Sequence, residues 1–408
     1  MEAYINCVPP IFNLYQIHIK STGNPMQNSK HILVIDWSMV YQQSLYSLLS
    51  GSEPITRATD IEEVRYRMAK KIFKVLDLVK PTNVIIAKDN KKPDGSRNYW
   101  REGYLARYYS QNTELMHSAE ESKTYVRFDN TIFEYTEEML GTKLTKKNTP
   151  KDIKLAEFKL IPELIEKFAP KYKGNRSKTE WVFETSREEF LKMADELSES
   201  LTHIVPKCRI VNAELAEADD IAGVLTCKGK GIKHTLLTGD GDWSQLINED
   251  VQVLNPMTLE YLDKTQEEAA FELKVKLVSG DSGDGIRGTY IEGKSGCMGA
   301  VKALKVAIDN TEDELYQPSF TRNKKLITLD LDTIPKMIQK NIMESLKAAK
   351  PSNKLDQTWE SVGLPKREQE IIIASSSVLT EKHAPSPFAD EIPVYQFPEQ
   401  GCFEEPPF

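Results

Sequence analysis

The chain has 408 residues, 40% of them hydrophobic and 28% charged, which suffices for one large α/β domain or two ordinary ones. A formal net charge of −8 argues at face value against a polyanionic partner. No apolar run approaches the roughly 18 residues of a membrane span, and MEAYINCVPPIFNLYQIHIK does not read as a signal peptide.

Residues 1–30 show no clear period and read as an N-terminal extension. HILVID (31–36) has the short β-branched composition of a buried strand and ends in Asp36. A helical pattern follows over 60–79, then a second strand, TNVIIAKD (82–89), ending in Asp89. The stretch SRNYWREGYLARYY opens a helix predicted over 97–111. The average charge conceals a basic segment further on: residues 143–178 hold eleven Lys/Arg against four acids, including Lys146, Lys147, Lys171 and Lys173. Such a segment is either a solvated face or a mobile cap that orders on a polyanion; its centre, 153–168, carries a helical pattern. Helices over 187–204 and 214–228 flank a strand KCRIVN (207–212), and HTLLTGD (234–240) closes the series. Strands alternating with helices predict a mostly parallel sheet flanked by helices across 31–264. A helical zone, 265–350, contains the glycine-dense SGDSGDGIRGTYIEGKSGCMG (279–299). Beyond 351 lies an extension whose acidic, proline-rich end reads as disordered. Five scattered cysteines, without zinc spacing to any histidine, predict a reduced cytoplasmic setting and no structural zinc.

Three strands end at or near an aspartate, and in an open α/β sheet ligands sit at the carboxyl ends of strands. Asp36, Asp89 and Asp240 are therefore expected on one edge. LLTGDGDWSQLI adds Asp242, NAELAEADDIAG adds Glu217, Asp219 and Asp220 at a helix start, and SGDSGDG adds Asp281 and Asp284. Each group has a plainer alternative: a surface turn, acids placed at a helix N-terminus, an ordinary glycine turn. Taken together, carboxylates without His or Cys suit hard cations such as Mg²⁺ or Mn²⁺, and two such ions about 4 Å apart clamp an in-line phosphodiester displacement. Gly241 is expected to let Asp240 and Asp242 turn to the same edge. On the 97–111 helix, Arg97, Arg101, Tyr104 and Tyr108 fall at i, i+4, i+7 and i+11. They are either a phosphate clamp with base-stacking rings or an Arg/Tyr stripe packed over core.

In their order, LVIDWSMVYQ, IIAKDNKKPDGSRNYWREGYLARYY, AEADDIAGVL, LLTGDGDWSQL and LVSGDSGDGIRG resemble the successive signatures of the flap endonuclease/5′-nuclease family, most nearly its bacteriophage ribonuclease H branch. RNKKLITLDLDTIPKMI (322–338) adds to the likeness, which spans about 31–350. The resemblance implies a PIN-like α/β core with an enlarged helical arch or cap inserted at about 95–205, and a helix–hairpin–helix-type duplex-binding module at 265–350. It implies two Mg²⁺ ions, replaceable by Mn²⁺. Asp36, Asp89, Glu217, Asp219 and Asp240 match one metal cluster, Asp242, Asp281 and Asp284 its second, and Asp220 lies behind them. Arg101 matches the arch arginine and Arg107 stands in for a further basic residue. In the glycine-dense stretch from 279 on, Gly293 and Gly296 can expose backbone N–H groups to a DNA phosphate and Lys294 and Lys302 supply charge, and the resemblance implies a monovalent cation such as K⁺ there. Gly285 and Arg287 depart from the family's Asn and Pro at those positions. The activity implied is 5′→3′ exonuclease or flap endonuclease cleavage of branched or nicked DNA and RNA–DNA duplex. The setting implied is primer removal in a phage replisome, by a monomer in the host cytoplasm, with a sliding clamp or single-strand-binding protein as partners. A single-strand ribonuclease of the PIN class and a non-catalytic branched-DNA binder are the alternatives.

Overall fold

The computed structural model describes residues 30–49, 58–92, 96–118, 120–128, 131–135, 169–174, 187–289, 306, 318–350 and 362–375. Its centre is a five-stranded sheet built from β1 (His31–Asp36), β2 (Asn83–Ala87), β6 (Cys208–Val211), β7 (Lys233–Leu237) and β8 (Val251–Leu254), in the order β6-β2-β1-β7-β8. Every neighbouring pair is parallel. The strands are apolar and β-branched because both faces are covered. Leu33 and Ile35 of β1 enter one core with Val84 and Ile86, while Ile32 and Val34 enter the other with Ile85 and Ala87. The first core is closed by α1 (Trp37–Leu49), α2 (Ala58–Val79) and α4 (Arg187–Ile204); the second holds α5 (Ala218–Lys228) and α8 (Lys336–Ala348).

The chain builds one side of β1 first, through β2 and β6, then crosses to the other side for β7 and β8. The gap between the carboxyl ends of β1 and β7 is thus a topological switch point, where an α/β sheet opens a crevice. Asp36 ends β1, and Thr238 to Asp242 leave β7 beside it.

Several sequence expectations shift. The insertion expected to be a helical arch begins with α3 (Trp100–Gln111) but continues as an antiparallel meander of β3 (Thr113–Ser118), β4 (Lys123–Phe128) and β5 (Thr131–Tyr135). Helix α3 starts after Arg97, because Tyr99 holds extended backbone (φ −119°, ψ 137°). The helix predicted over 214–228 starts at Ala218, after Glu217 as its extended N-cap. The fifth strand, β8, is an addition to the four that the sequence predicts. In the 265–350 zone α6 (Gln266–Ser279) leads into a short hairpin, β9 (Gly280–Asp281) with β10 (Ile286–Arg287), followed by α7 (Pro318–Ile327) and α8. Helix α9 (Lys366–Ser375) returns to the first core, where Tyr66 Oη donates to Glu368 at 2.8 Å. Among the described residues, no helix is long and apolar enough to cross a membrane. The extension 1–29, the 153–168 pattern and the tail from 381 lie outside the described residues.

Candidate active site

The site grows from the end of β1. Asp36 is 3% exposed, and its carboxylate accepts hydrogen bonds from Ser38 Oγ (3.0 Å), Met39 N (3.1 Å) and, across the switch point, Thr238 Oγ1 (2.8 Å). Burial, reinforced by the neighbouring charge of Asp89, still pushes its carboxyl up to about 6. Asp89 lies two residues past β2 and accepts from Ala218 N at 2.9 Å, tying that strand end to the start of α5. Burial and the charge of Glu217 raise its pKa as well.

Helix α5 presents three acids at its N-terminus, where unpaired N–H groups and the dipole favour negative charge. They face three ways. Asp220, fully buried, accepts from Glu217 N (3.0 Å) and Trp100 Nε1 (3.1 Å) and pairs with both terminal nitrogens of Arg101 (2.8 and 2.9 Å). Glu217 accepts from Arg101 Nη1 (3.0 Å) and Tyr172 Oη (2.9 Å) and forms an ion pair with Lys173. Burial alone would lift the Glu217 pKa, but Lys173 and Arg101 hold it below the ordinary value. Asp219 accepts from Trp243 Nε1 at 2.7 Å. Burial drives its pKa well up, with Asp240, Glu217 and Asp36 adding to the rise against the pull of Lys173.

Asp240 caps the 3₁₀ turn Gly241–Leu246, its carboxylate accepting from Asp242 N at 2.9 Å. This cap sets the pair's geometry, and Gly241 does not: its φ is not positive, and a Cβ there would meet nothing within 4 Å. The expectation that Gly241 supplies the turn is therefore corrected.

Two lysines complete the cluster. Lys173 arrives on the 169–174 segment, inside the basic stretch expected to be mobile, yet it is 8% exposed. Its Nζ pairs with Glu217 and stands 3.8 Å from Asp284 Oδ2, while Tyr172 Oη bridges Glu217 and Asp284 at 2.9 and 3.1 Å. Lys276, on α6, pairs with Asp242 and, at 2.6 Å, with Asp281. Its charge brings the Asp281 pKa down although burial opposes; for Asp242, burial prevails and the pKa rises. Each lysine is held more firmly protonated than usual because its acidic neighbours outweigh its burial.

The eight acids expected to bind metal therefore fall into one connected neighbourhood, linked by hydrogen bonds or by their mutual charge. Among the described residues, however, no three of His, Cys, Asp or Glu converge closely enough to hold one ion. At both halves of the cluster an ammonium lies between carboxylates that would otherwise repel. Arg101 differs from its expected role. It is 2% exposed, and its Nε donates to Leu326 O at 2.8 Å, so the guanidinium is occupied by Asp220, Glu217 and the backbone. Tyr104 packs edge-on against Trp100 with centroids 6.3 Å apart, and Tyr108 lies 5.1 Å from the buried Arg322 guanidinium. Both are half-buried, which favours the packed-stripe alternative. Arg97 precedes the helix and donates to Lys173 O at 2.9 Å; Arg107 is exposed. Gly293, Lys294, Gly296 and Lys302, with the expected K⁺ site, lie outside the described residues.

Tyr172, Thr238, Trp243 and Lys276 join the site without having been singled out by the sequence, and Lys173 joins it from the basic segment expected to meet a polyanion. Lys276 had a readable signal, a lysine in the last turn of a helix that runs straight into Gly280–Asp281. Lys173 was hidden in a charge count.

The fold and the acidic edge define an α/β domain, a parallel sheet flanked by helices, with a cluster of carboxylates at its switch point. Residues 129–276 match the family described as 5′-3′ exonuclease, N-terminal resolvase-like domain, a stretch that includes Lys173, Glu217, Asp219, Asp220, Asp240, Asp242 and Lys276. That match, over part of the chain, agrees with the resemblance carried by the ordered motifs. Among solved structures, the chain is similar to the bacteriophage T5 D15 protein co-crystallised with metal ions, at 15% identity and a TM-score of 0.42, covering 78% of this chain and 99% of that one. It is also similar to a variant of the bacteriophage T5 D15 flap endonuclease in a pseudo-enzyme–product complex with DNA and metal ions, at 14% identity and a TM-score of 0.41, covering 78% and 98%. Among curated proteins none matches.

Proposed function

We propose that this chain is a divalent-metal-dependent, structure-specific 5′→3′ nuclease acting on branched or nicked DNA and RNA–DNA duplex. The observation that carries the reading is the meeting of acids from the ends of β1, β2 and β7, the start of α5 and the β9–β10 hairpin at one sheet edge. The 5′-3′ exonuclease match over residues 129–276 supports it.

The donor set fits a hard divalent cation. It is built of carboxylate oxygens, with no His or Cys among the described residues that meet there, and the two lysine ammonium groups already stand where positive charge is wanted. Asp36, Asp89, Glu217, Asp219 and Asp240 would hold one ion, and Asp242, Asp281 and Asp284 a second. Bound there, divalent ions supply charge neutralisation for the phosphate and the oxygens entering and leaving it. The chain's own part is positional. Thr238 fixes the Asp36 carboxylate across the switch point, Trp243 fixes Asp219, and the Ala218 amide fixes Asp89. Arg101 and Trp100 hold Asp220, which in turn holds the Glu217 backbone, so that α5 presents its acids in one orientation. Lys173 is the cation at hand for an incoming phosphate once its carboxylates are otherwise neutralised.

The same reading places the protein as a cytoplasmic monomer that removes RNA primers or 5′ flaps during phage replication, with a sliding clamp or single-strand-binding protein as partner and a K⁺ ion in the 279–299 loop. The test is a set of 5′-labelled substrates in Mg²⁺: flap duplex, nicked duplex, RNA–DNA duplex and single-stranded RNA. Cleavage of the duplex-bearing substrates is expected. Cleavage confined to single-stranded RNA would favour the PIN-class ribonuclease, and binding without cleavage would favour a non-catalytic branched-DNA protein.

A further inference from the structure

Lys173 is held in the acidic cluster by more than its charge. Its backbone is left-handed (φ 54°), a conformation that is strained for a non-glycine residue and persists only where surroundings fix it. Those surroundings are specific. Lys173 N donates to Asp284 O at 2.8 Å, Arg97 Nη1 donates to Lys173 O at 2.9 Å, and Gly174 N donates to Lys171 O at 2.8 Å. The β9–β10 hairpin meets this segment so closely that a Cβ at Gly285 (φ +73°) would lie 2.6 Å from Lys171 O. The ammonium also lies 5.4 and 5.2 Å from the rings of Tyr99 and Tyr172, which wall it in. On the other half of the cluster, Lys276 occupies the corresponding position between Asp242 and Asp281.

Resting on the nuclease reading above, we propose that Lys173 is a tethered counter-ion that competes with divalent metal for Glu217 and Asp284, so that metal uptake displaces its ammonium and unlatches the 169–174 segment from the β9–β10 hairpin. A carboxylate cluster of this density cannot remain ionised and empty without a cation. One lysine satisfies two of its acids in the folded chain. Divalent ions on these acids, one at Glu217 and the other at Asp284, add positive charge beside the ammonium, and like charges at that separation repel. The ammonium must leave, and the left-handed residue is then held only by its backbone bonds to Asp284 and Arg97, without the ion pairs that reinforced them.

The test measures metal binding rather than turnover. Isothermal titration of Mn²⁺ into the full chain, without DNA, is compared for the parent, Lys173→Met and Lys173→Arg. Removing the competitor should tighten Mn²⁺ binding by about tenfold, equivalent to roughly 1.4 kcal/mol of displaced ion pairing; Lys173→Arg should bind no more tightly than the parent. In chelator Lys173→Met should melt lower than the parent, and saturating Mn²⁺ should close that gap. Hydrogen exchange on the parent supplies a measurement that needs no variant: the Lys173 amide, bonded to Asp284 O, should exchange faster with Mn²⁺ than without. Equal or weaker Mn²⁺ binding by Lys173→Met, or slower exchange on adding Mn²⁺, overturns the proposal while leaving the nuclease reading standing. Absence of Mn²⁺ binding to every form overturns both.

Discussion

Replacing Arg101 with alanine tests whether the guanidinium organises the acids. Its side chain is 2% exposed, and it pairs with Asp220 at 2.8 and 2.9 Å, with Glu217 at 3.0 Å, and with Leu326 O at 2.8 Å, while lying 4.7 Å over the Trp100 ring. Asp220 and Glu217 are 0% and 1% exposed. Truncation leaves Asp220 charged without its partner, or forces it to take up a proton, and removing one partner of a buried pair costs about 3–5 kcal/mol. Against a total stability of roughly 5–15 kcal/mol that is a large loss. At about 2–4 °C per kcal/mol for a domain of this size, Tm should fall by roughly 6–20 °C. Urea denaturation and calorimetry measure it. Arg101→Lys should fall between, since an ammonium cannot reproduce the fork that grips Asp220. Adding Asp220→Asn to Arg101→Ala should recover part of the loss, because the stranded charge is then gone; a coupling of more than about 1 kcal/mol is expected. A stability loss below about 1 kcal/mol for Arg101→Ala, with a large loss of turnover, would refute this reasoning and return Arg101 to the phosphate-clamp role suggested by the resemblance.

Asp240→Asn and Asp242→Asn should each reduce flap cleavage severely while leaving DNA affinity within a few-fold, as measured by fluorescence anisotropy; normal cleavage by both would remove them from the site. The metal-free protein should melt higher at pH 5 than at pH 8. The Asp36 pKa is raised from 3.8 to about 6, so its neutral form is favoured in the fold: the stabilisation is present below about 4 and lost as pH rises through 6. Asp89, Asp219 and Asp242 shift the same way. For Asp36 the displacement corresponds to about 3 kcal/mol at most. Mg²⁺ should remove the difference, and a higher Tm at pH 8 without metal would contradict it. Gly241→Ala should leave Tm within roughly 0.5 kcal/mol of stability, whereas Gly285→Ala should lower it by about 1–3 kcal/mol, since only the second has a positive φ and backbone within 2.6 Å. Equal behaviour of the two would show that the approach of Lys171 to the hairpin is not a real constraint.

Much of the sheet is visible in the sequence because parallel strands buried on both faces carry a plain signal: HILVID and NVIIA are nearly all apolar. The β8 segment, VQVL, is only four residues with a polar one inside, and the period is too short to stand out. The meander is a different failure. KTYVRF and TIFEY alternate polar and apolar residues on either side of Asp129–Asn130, a hairpin pattern, whereas the family resemblance implies a helical arch at the same place. The acids were legible by residue type and position, since each follows a strand or opens a helix. What positions them was not. Trp100, Tyr172, Thr238 and Trp243 reach Asp220, Glu217, Asp36 and Asp219 from 120, 45, 202 and 24 residues away, and no local pattern encodes such contacts. Lys173 shows the limit most clearly. Eleven basic residues lie in 143–178; of the two that are described, Lys171 is exposed and Lys173 enters the carboxylate cluster, a difference set by folding against the β9–β10 hairpin.

The most direct test of the central claim is single-turnover cleavage of a 5′-labelled flap duplex by the full chain in Mg²⁺, with chelator and Asp240→Asn as parallel reactions. The account predicts a product ending in a 3′-hydroxyl and its partner carrying a 5′-phosphate, formed only by the parent protein and only with the divalent ion. Cleavage that persists in chelator or in Asp240→Asn, or its absence in the parent with Mg²⁺ present, would contradict the assignment of the acidic sheet edge as a nuclease site.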